Sequence, residues 1–214
     1  MNELLENKRQ NLSLAIQAGG FSKRMGHDKA LLEFNHQPLI AYIAERGRLL
    51  TDDLFVTTNQ IESYQFLNLP LYPDRLHFRG TLIGMHTALS ASTRPSVAVI
   101  GCDMPFFNPQ LLDYEAQLLE ESGMDAVVPR SRNGLEPLHA VYKRETCLAA
   151  VIKSLEMGVL SLIGWLSLLQ VLEITKDQIT PYDPNSRAFI NINTPEDLKK
   201  AEELLMSDIR QRKP

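Results

Sequence analysis

Leu12-Ser13-Leu14-Ala15-Ile16-Gln17-Ala18-Gly19-Gly20 is an apolar run that stops at a glycine pair. Residues 12–16 have the length of a buried strand, and Gly19-Gly20 is the turn signal that ends it. Similar runs recur along the chain. The β-branched stretch 54–58 predicts a second strand, and 97–101, 126–128, 138–142, 168–174 and 189–192 predict further ones. Helical spacing fills 39–50 and 82–91. A third helix is expected over 109–121, opening with Pro109 behind the N-cap candidate Asn108. A last one covers 195–205, with Thr194 as N-cap and Glu196 and Asp197 in the first turn. Strands alternating with helices predict an α/β fold, a three-layer open mostly parallel sheet covered on both faces. Such sheets bind ligands beyond the carboxyl ends of their strands. Gly19-Gly20 lies at such an end.

Composition bounds the function. Of 214 residues, 44% are hydrophobic and 22% charged, which excludes a disordered, collagenous or coiled-coil chain. Twenty-two Lys and Arg against 26 Asp and Glu leave a net charge of −4, which argues against a general nucleic-acid binder. Residues 1–11 read as a polar N-terminal arm with no signal-peptide core, and residues 12–214 as a single domain. The most apolar later window, 159–172, is interrupted by Ser161, Gly164, Ser167 and Gln170 and is too short to span a membrane. That window nonetheless holds more large apolar side chains than one helix face needs. It predicts a partly exposed patch at Trp165, used for self-association or for docking a partner. Cys102 and Cys147 cannot build a disulfide framework or a structural zinc site by themselves, so a cytoplasmic, reducing setting is expected.

The densest chemistry lies in Gln17-Ala18-Gly19-Gly20-Phe21-Ser22-Lys23-Arg24-Met25-Gly26-His27-Asp28-Lys29. Gly19 and Gly20 let the backbone turn sharply and bring N–H groups to an anion, and Arg24 and Lys29 add two cations. Amides plus Arg plus Lys suit a triphosphate. The spacing is neither the Walker A pattern nor the dinucleotide fingerprint. The strand 97–101 runs into Gly101-Cys102-Asp103-Met104-Pro105, so Asp103 would sit near the triphosphate loop and could hold Mg²⁺ together with phosphates and water. Cys102 alternates to the other face and reads as a packed core residue.

Other candidates are weaker by residue type alone. Asn59 follows the strand 54–58 and is a candidate for base or ribose contact. Asp74 reads equally well as a turn residue. Gly80 and Gly84 flank a helix start that would offer amides to an anion. In residues 130–142, the two arginines, the turn and His139 suit an anionic second substrate, but a surface hairpin with one satisfied histidine explains them as well. Asn191 and Asn193 lie two apart on a predicted strand and so face the same way. They could bind a ligand or simply shape the turn before the last helix.

The run QAGGFSKRMGHDKALL resembles the signature L-A-G-G-x-S-x-R-M-G-x-D-K of the molybdenum cofactor guanylyltransferase family. The likeness continues through Cys102-Asp103-Met104-Pro105, Pro137-Leu138-His139-Ala140-Val141-Tyr142 and Asn191-Ile192-Asn193-Thr194-Pro195. It implies a nucleotide-diphospho-sugar transferase (glycosyltransferase A-like) fold and transfer of GMP from GTP to molybdopterin with release of pyrophosphate. It implies nucleotide contacts at Gln17, Ala18, Gly19, Gly20, Lys29, Asn59, Asp74 and Asp103. Catalytic charge would come from Arg24, Lys29 and Asp103, the last holding Mg²⁺, and acceptor contacts from Gly80, Gly84, His139, Asn191 and Asn193. Transient contact with other molybdenum cofactor proteins and a homo-oligomer are further expectations. Two departures stand out: Gln17 replaces the usual Leu, and Thr81 replaces the Pro of a Gly-Pro-Leu-x-Gly loop. Two alternatives stay open at this point. One is the same chemistry with CTP or with a sugar-phosphate acceptor. The other is a nucleotide-binding adaptor for molybdoenzyme maturation that performs no reaction.

Overall fold

β1 (Leu12–Gln17) is enclosed on both faces, with every residue buried, Ser13 and Gln17 included. In the computed structural model, which describes residues 9–19, 28–76 and 80–211 (the side chains of residues 209 and 211 excepted), β1 lies inside the main sheet. A small hairpin of β2 (Glu33–Phe34) and β3 (Gln37–Pro38) precedes α1 (Leu39–Gly47) and β4 (Asp53–Thr57). Then come α2 (Ile61–Tyr64), β5 (Leu71–Tyr72), α3 (Thr81–Ala91), β6 (Ser96–Gly101) and α4 (Pro109–Ser122). The second half holds β7 (Ala126–Ser131), β8 (Gly134–Leu135), β9 (His139–Lys143), α5 (Arg144–Glu156) and α6 (Leu162–Leu166). It ends with β10 (Val171–Ile174), α7 (Lys176–Ile179) and α8 (Pro195–Gln211).

The strand order is β10-β7-β9-β6-β1-β4-β5, with β8 pairing β7. β1 is parallel to β4 and β6, β4 to β5, and β10 to β7. β9 runs antiparallel to β6 and β7, and β8 folds back on β7. The sheet is therefore mixed and mostly parallel. Successive side chains of a strand point to opposite faces, and that alternation splits the core in two. Leu12, Leu14 and Ile16 of β1 join Ala98 and Ile100 of β6 under α1, α4 and α8. Ala15, Val97 and Val99 point the other way, to α3, α5 and α6. Each fully buried Leu, Ile or Val contributes roughly 1.5–3 kcal/mol. The central strands thus collect stabilisation from both layers, which fixes the positions of their carboxyl ends.

Local signals explain most element ends. Asn108 accepts from the Gln110 and Leu111 amides at 2.8 and 3.3 Å, so it caps α4 ahead of Pro109. Thr194 Oγ1 accepts from the Asp197 amide at 3.1 Å and caps α8. The inner end of the polar arm is fastened, since the Arg9 guanidinium donates to Asp113 and Glu120 of α4.

Four expectations change. Residues 189–192 form no strand; Phe189 lies in a turn closed by the Ile190 amide on the Arg187 carbonyl at 2.9 Å, and the segment is tied to the sheet where the Ile192 amide donates to the Asp103 carbonyl at 2.9 Å. The strand expected over 168–174 shortens to β10, because Leu168 and Leu169 are taken into turns that close α6. α5 was not anticipated, although Cys147, Val151 and Leu155 repeat at helical spacing on its sheet-facing side. Trp165 is not on an exposed patch. Ser161 caps α6 by accepting from the Gly164 amide, and the turn so oriented buries Trp165 completely against Tyr142, with ring centroids 5.3 Å apart. The exposed apolar side chains of that region are instead Met157, Leu160 and Ile163. Among the described residues, no helix is long and apolar enough to cross a membrane.

Candidate active site

Gln17 pairs with Gly101 in the parallel register of β1 and β6, so both strands deliver their following residues to one edge of the sheet. The exits are stitched together. The Cys102 amide donates to the Gln17 carbonyl at 3.1 Å, and the Ala18 amide to the Thr57 carbonyl at 2.9 Å. Asp103 then turns its carboxylate back over Gly101, where a Cβ would lie 2.5 Å from Oδ1. Only a glycine permits that approach. Lys29 Nζ makes a close ion pair with Asp103 Oδ2 and also donates to Asn193 Oδ1 at 3.2 Å. The Ile192–Asp103 backbone bond explains why Asn193 arrives here. Lys29 stands 74 residues from Asp103 and 164 from Asn193, so the fold unites three motifs that the chain keeps apart. The pair is partly sheltered, with side-chain exposures of 21% for Lys29 and 16% for Asp103, so water screens it less than a surface pair. Cys102 is buried, and burial first, then the Asp103 charge, pushes its thiol well above its ordinary range. It packs in the core and is no nucleophile.

A second group forms at the ends of β4 and β5. Asn59 donates to Asp74 Oδ2 and accepts from the Asp74 amide, both at 2.9 Å, while Thr87 of α3 donates to Asp74 Oδ1 at 2.6 Å. Asn59 and Asp74 are thus brought together, and Thr87 is a partner that no feature of the sequence marked. His86, on the same helix, is held below its ordinary range, chiefly by burial. Gln17 faces α3, its Nε2 donating to the Thr81 carbonyl at 2.8 Å. Gly84 makes room for it, because a Cβ there would lie 1.8 Å from that nitrogen. Gly80 precedes the helix at φ +146°, ψ 164°, a backbone region that glycine alone occupies comfortably. Gly20 and Arg24 lie outside the described residues.

The acceptor-side residues divide. Asn191 and Asn193 are both exposed and line a cleft of about 1040 Å³ whose other walls carry Arg130, Arg132 and Lys176. The basic turn and the two asparagines therefore share one opening. Gly80 and Gly84 are not in its lining; Gly84 packs beside Gln17 and Gly80 is exposed at the start of α3. His139 is also not in that lining. It is fully buried between β9 and α4, with Nδ1 3.2 Å from Glu115 Oε1 and Nε2 accepting from the Asn108 amide at 3.3 Å. The accepting Nε2 leaves the ring proton on Nδ1, facing Glu115. The histidine is a core residue that steadies the start of α4 through its bond from the Asn108 amide.

Glu115 is fully buried beside it, and desolvation pushes its carboxyl up to about 7, with His139 opposing the shift. A carboxyl whose folded value lies above its unfolded value near 4.5 favours the folded state when protonated. Its contribution is complete below about pH 4.5 and is lost as pH rises through 7. Glu115→Gln is expected to match wild-type stability near pH 4.5 and to exceed it at pH 8, by up to about 3 kcal/mol. Urea denaturation of both proteins at the two pH values measures this. Equal stability at pH 8 would remove Glu115 from the linkage.

Among the described residues no group of three or more His, Cys, Asp or Glu could enclose a metal ion. A hard divalent cation needs less, since one or two carboxylates suffice when phosphates and water complete its shell. Asp103, a single carboxylate at the meeting point of β1 and β6, fits a metal that arrives with a nucleotide.

Comparison with known proteins decides the family. The profile of the MobA-like NTP transferase domain matches residues 14–167. The chain belongs to this family. It is 35% identical over 187 residues to the probable molybdenum cofactor guanylyltransferase of Pelotomaculum thermopropionicum, covering 87% of this chain and 89% of the relative. The molybdenum cofactor guanylyltransferase of Syntrophotalea carbinolica is 33% identical over 188 residues, with 88% and 89% covered. The crystal structure of molybdopterin-guanine dinucleotide biosynthesis protein A from Archaeoglobus fulgidus superposes with a TM-score of 0.80 at 26% identity, covering 91% of this chain and 99% of that one. A diphosphocytidyl-methylerythritol synthase from Anaerococcus prevotii shares the fold alone, at 13% identity and a TM-score of 0.70. The protein is thus a nucleotidyltransferase with the nucleotide-diphospho-sugar transferase fold. Within that family, Lys29, Asp103 and Asn193 are the described charged and polar groups that meet at one strand edge.

Proposed function

We propose that the protein transfers GMP from GTP to molybdopterin and releases pyrophosphate. The observation that carries this reading is Lys29 bridging Asp103 and Asn193, a cation, a carboxylate and an amide at one point where β1 and β6 end. A phosphate oxygen of the acceptor attacks the α-phosphorus, and pyrophosphate leaves in line. No serine, cysteine or histidine nucleophile is required. The work is positioning and charge neutralisation. Asp103 would hold Mg²⁺, which supplies positive charge to the phosphate oxygens. Lys29 neutralises charge on the phosphates and the leaving group, and Gly19 lets the main chain approach the nucleotide. Asn191 and Asn193, with the cationic wall of Arg130, Arg132 and Lys176, receive an anionic acceptor. Cys102 and Cys147 are free thiols, which suits work in the reducing cytoplasm.

Calorimetric titration of GTP, CTP and ATP tests the choice of base. GTP is expected to bind ahead of both others, because buried polar groups left unpaired by a wrong base cost about 1–3 kcal/mol each. A Cβ on Gly19 meets no described atom within 4 Å, which makes Gly19→Ala a probe of the nucleotide contact. It is expected to weaken GTP more than CTP and to leave the dependence on Mg²⁺ and the melting temperature unchanged. Equal or tighter binding of CTP by the wild type would favour a cytidylyltransferase instead.

A further inference from the structure

Lys29 occupies a short turn whose geometry is set from behind. Asp28 caps the 3₁₀ turn Lys29–Leu31, its Oδ1 accepting from the Ala30 amide at 3.1 Å. The other carboxylate oxygen, Oδ2, accepts from the Tyr64 hydroxyl at 2.5 Å. Tyr64 closes α2, the helix that follows Asn59, and is 1% exposed within the core layer that also holds Ala30. Its ring cannot shift without repacking that layer. Burial, then the hydrogen bond to Asp28, hold the phenol far above its ordinary range, so the hydroxyl remains a donor at any working pH. One rigid path therefore runs from the exit of β4 through Tyr64 and Asp28 to the main chain of Lys29. At its other end Lys29 reaches Asp103 and Asn193.

A long, flexible side chain carries about 2 kcal/mol of rotamer entropy. It stabilises a transition state well only if its base is fixed, and a displacement of about 1 Å at such a group costs up to about 100-fold in rate. We propose that Tyr64 is a positioning residue for the nucleotidyl transfer, which acts through Asp28 to hold Lys29 at the phosphate-binding edge of the sheet. This rests on the reading that Lys29 works on the triphosphate. It assigns a function to a buried phenol remote from Lys29 in sequence. It also gives Asp28 two separable tasks, capping with one oxygen and anchoring with the other.

The test is a double-mutant cycle in the full chain, with pyrophosphate release from GTP, Mg²⁺ and molybdopterin as the rate readout. Wild type, Tyr64→Phe, Lys29→Ala and the double variant are compared, with calorimetric affinity for GTP measured in parallel. Tyr64→Phe keeps the ring and removes the hydroxyl. It is expected to lower kcat about 10–100-fold in the wild-type background, with KM for GTP changed by no more than about 3-fold. In the Lys29→Ala background the same change is expected to alter kcat by less than about 2-fold, because the group it positions is gone. Any loss of melting temperature is expected to be equal in both backgrounds. Asp28→Asn keeps the cap and weakens the charged acceptor, so it is expected to repeat this pattern, and it decides the matter should Tyr64→Phe fail to fold. Equal fold-losses of kcat in both backgrounds, or unchanged kcat in Tyr64→Phe, overturn the proposal. Failure of the wild type to release pyrophosphate from GTP is a different result. It overturns the guanylyl reading, and the cycle is then run with the nucleotide that does turn over.

Discussion

Asp103→Asn is expected to keep its fold and lose pyrophosphate release by roughly 10²–10³-fold at saturating Mg²⁺. The amide nearly matches the carboxylate in shape, and its oxygen still accepts from Lys29, so the close approach over Gly101 survives. What disappears is a full negative charge at the one point where strands β1 and β6 deliver a hard oxygen ligand. A cation loses affinity for that point, and Lys29 loses the counter-charge that holds it ready. Circular dichroism and thermal melting check the fold. Turnover near that of the wild type would remove Asp103 from the metal-holding role.

Lys29→Ala should separate turnover from stability in the same way. Removing a charge that neutralises the leaving group is expected to cost about 10²–10³-fold in kcat. The fold has little to lose, because Ala30 supplies the buried contact of this turn and Asp28 still caps it. Pairs with solvent access contribute about 0–1 kcal/mol; the partial shelter of this one puts it toward the upper end. The expected drop in melting temperature is therefore a few degrees. A variant that melts far lower while turning over normally would make Lys29 a structural partner of Asp103.

Where the sequence was legible, periodicity and capping made it so. The largely apolar runs at 12–16 and 97–101 become the doubly covered strands β1 and β6, and Asn108 and Thr194 cap the helices they precede. Misreadings have equally local causes. The stretch 189–192 carries a strand's alternation, yet its backbone bonds to Asp103 instead of to a neighbouring strand. Trp165 has the composition of a surface patch around it, and the Ser161 cap turns it inward. His139 sits in a stretch whose arginines do line the cleft, but it opens β9, four residues on from the end of β8, and lies against Glu115.

By itself the sequence determined the class of fold, the strand that becomes β1 and the residue types of a nucleotidyltransferase, because strand and helix periods, turn residues and caps act over a few neighbours. Only the tertiary structure decided which of those residues meet. The Lys29–Asp103 ion pair spans 74 residues, the Lys29–Asn193 bond 164, and the Tyr64–Asp28 anchor 36. Gln17 beneath α3 and His139 against Glu115 are settled likewise by which helix covers which face. Contacts of that kind depend on strand order and layer packing, to which local spacing is blind.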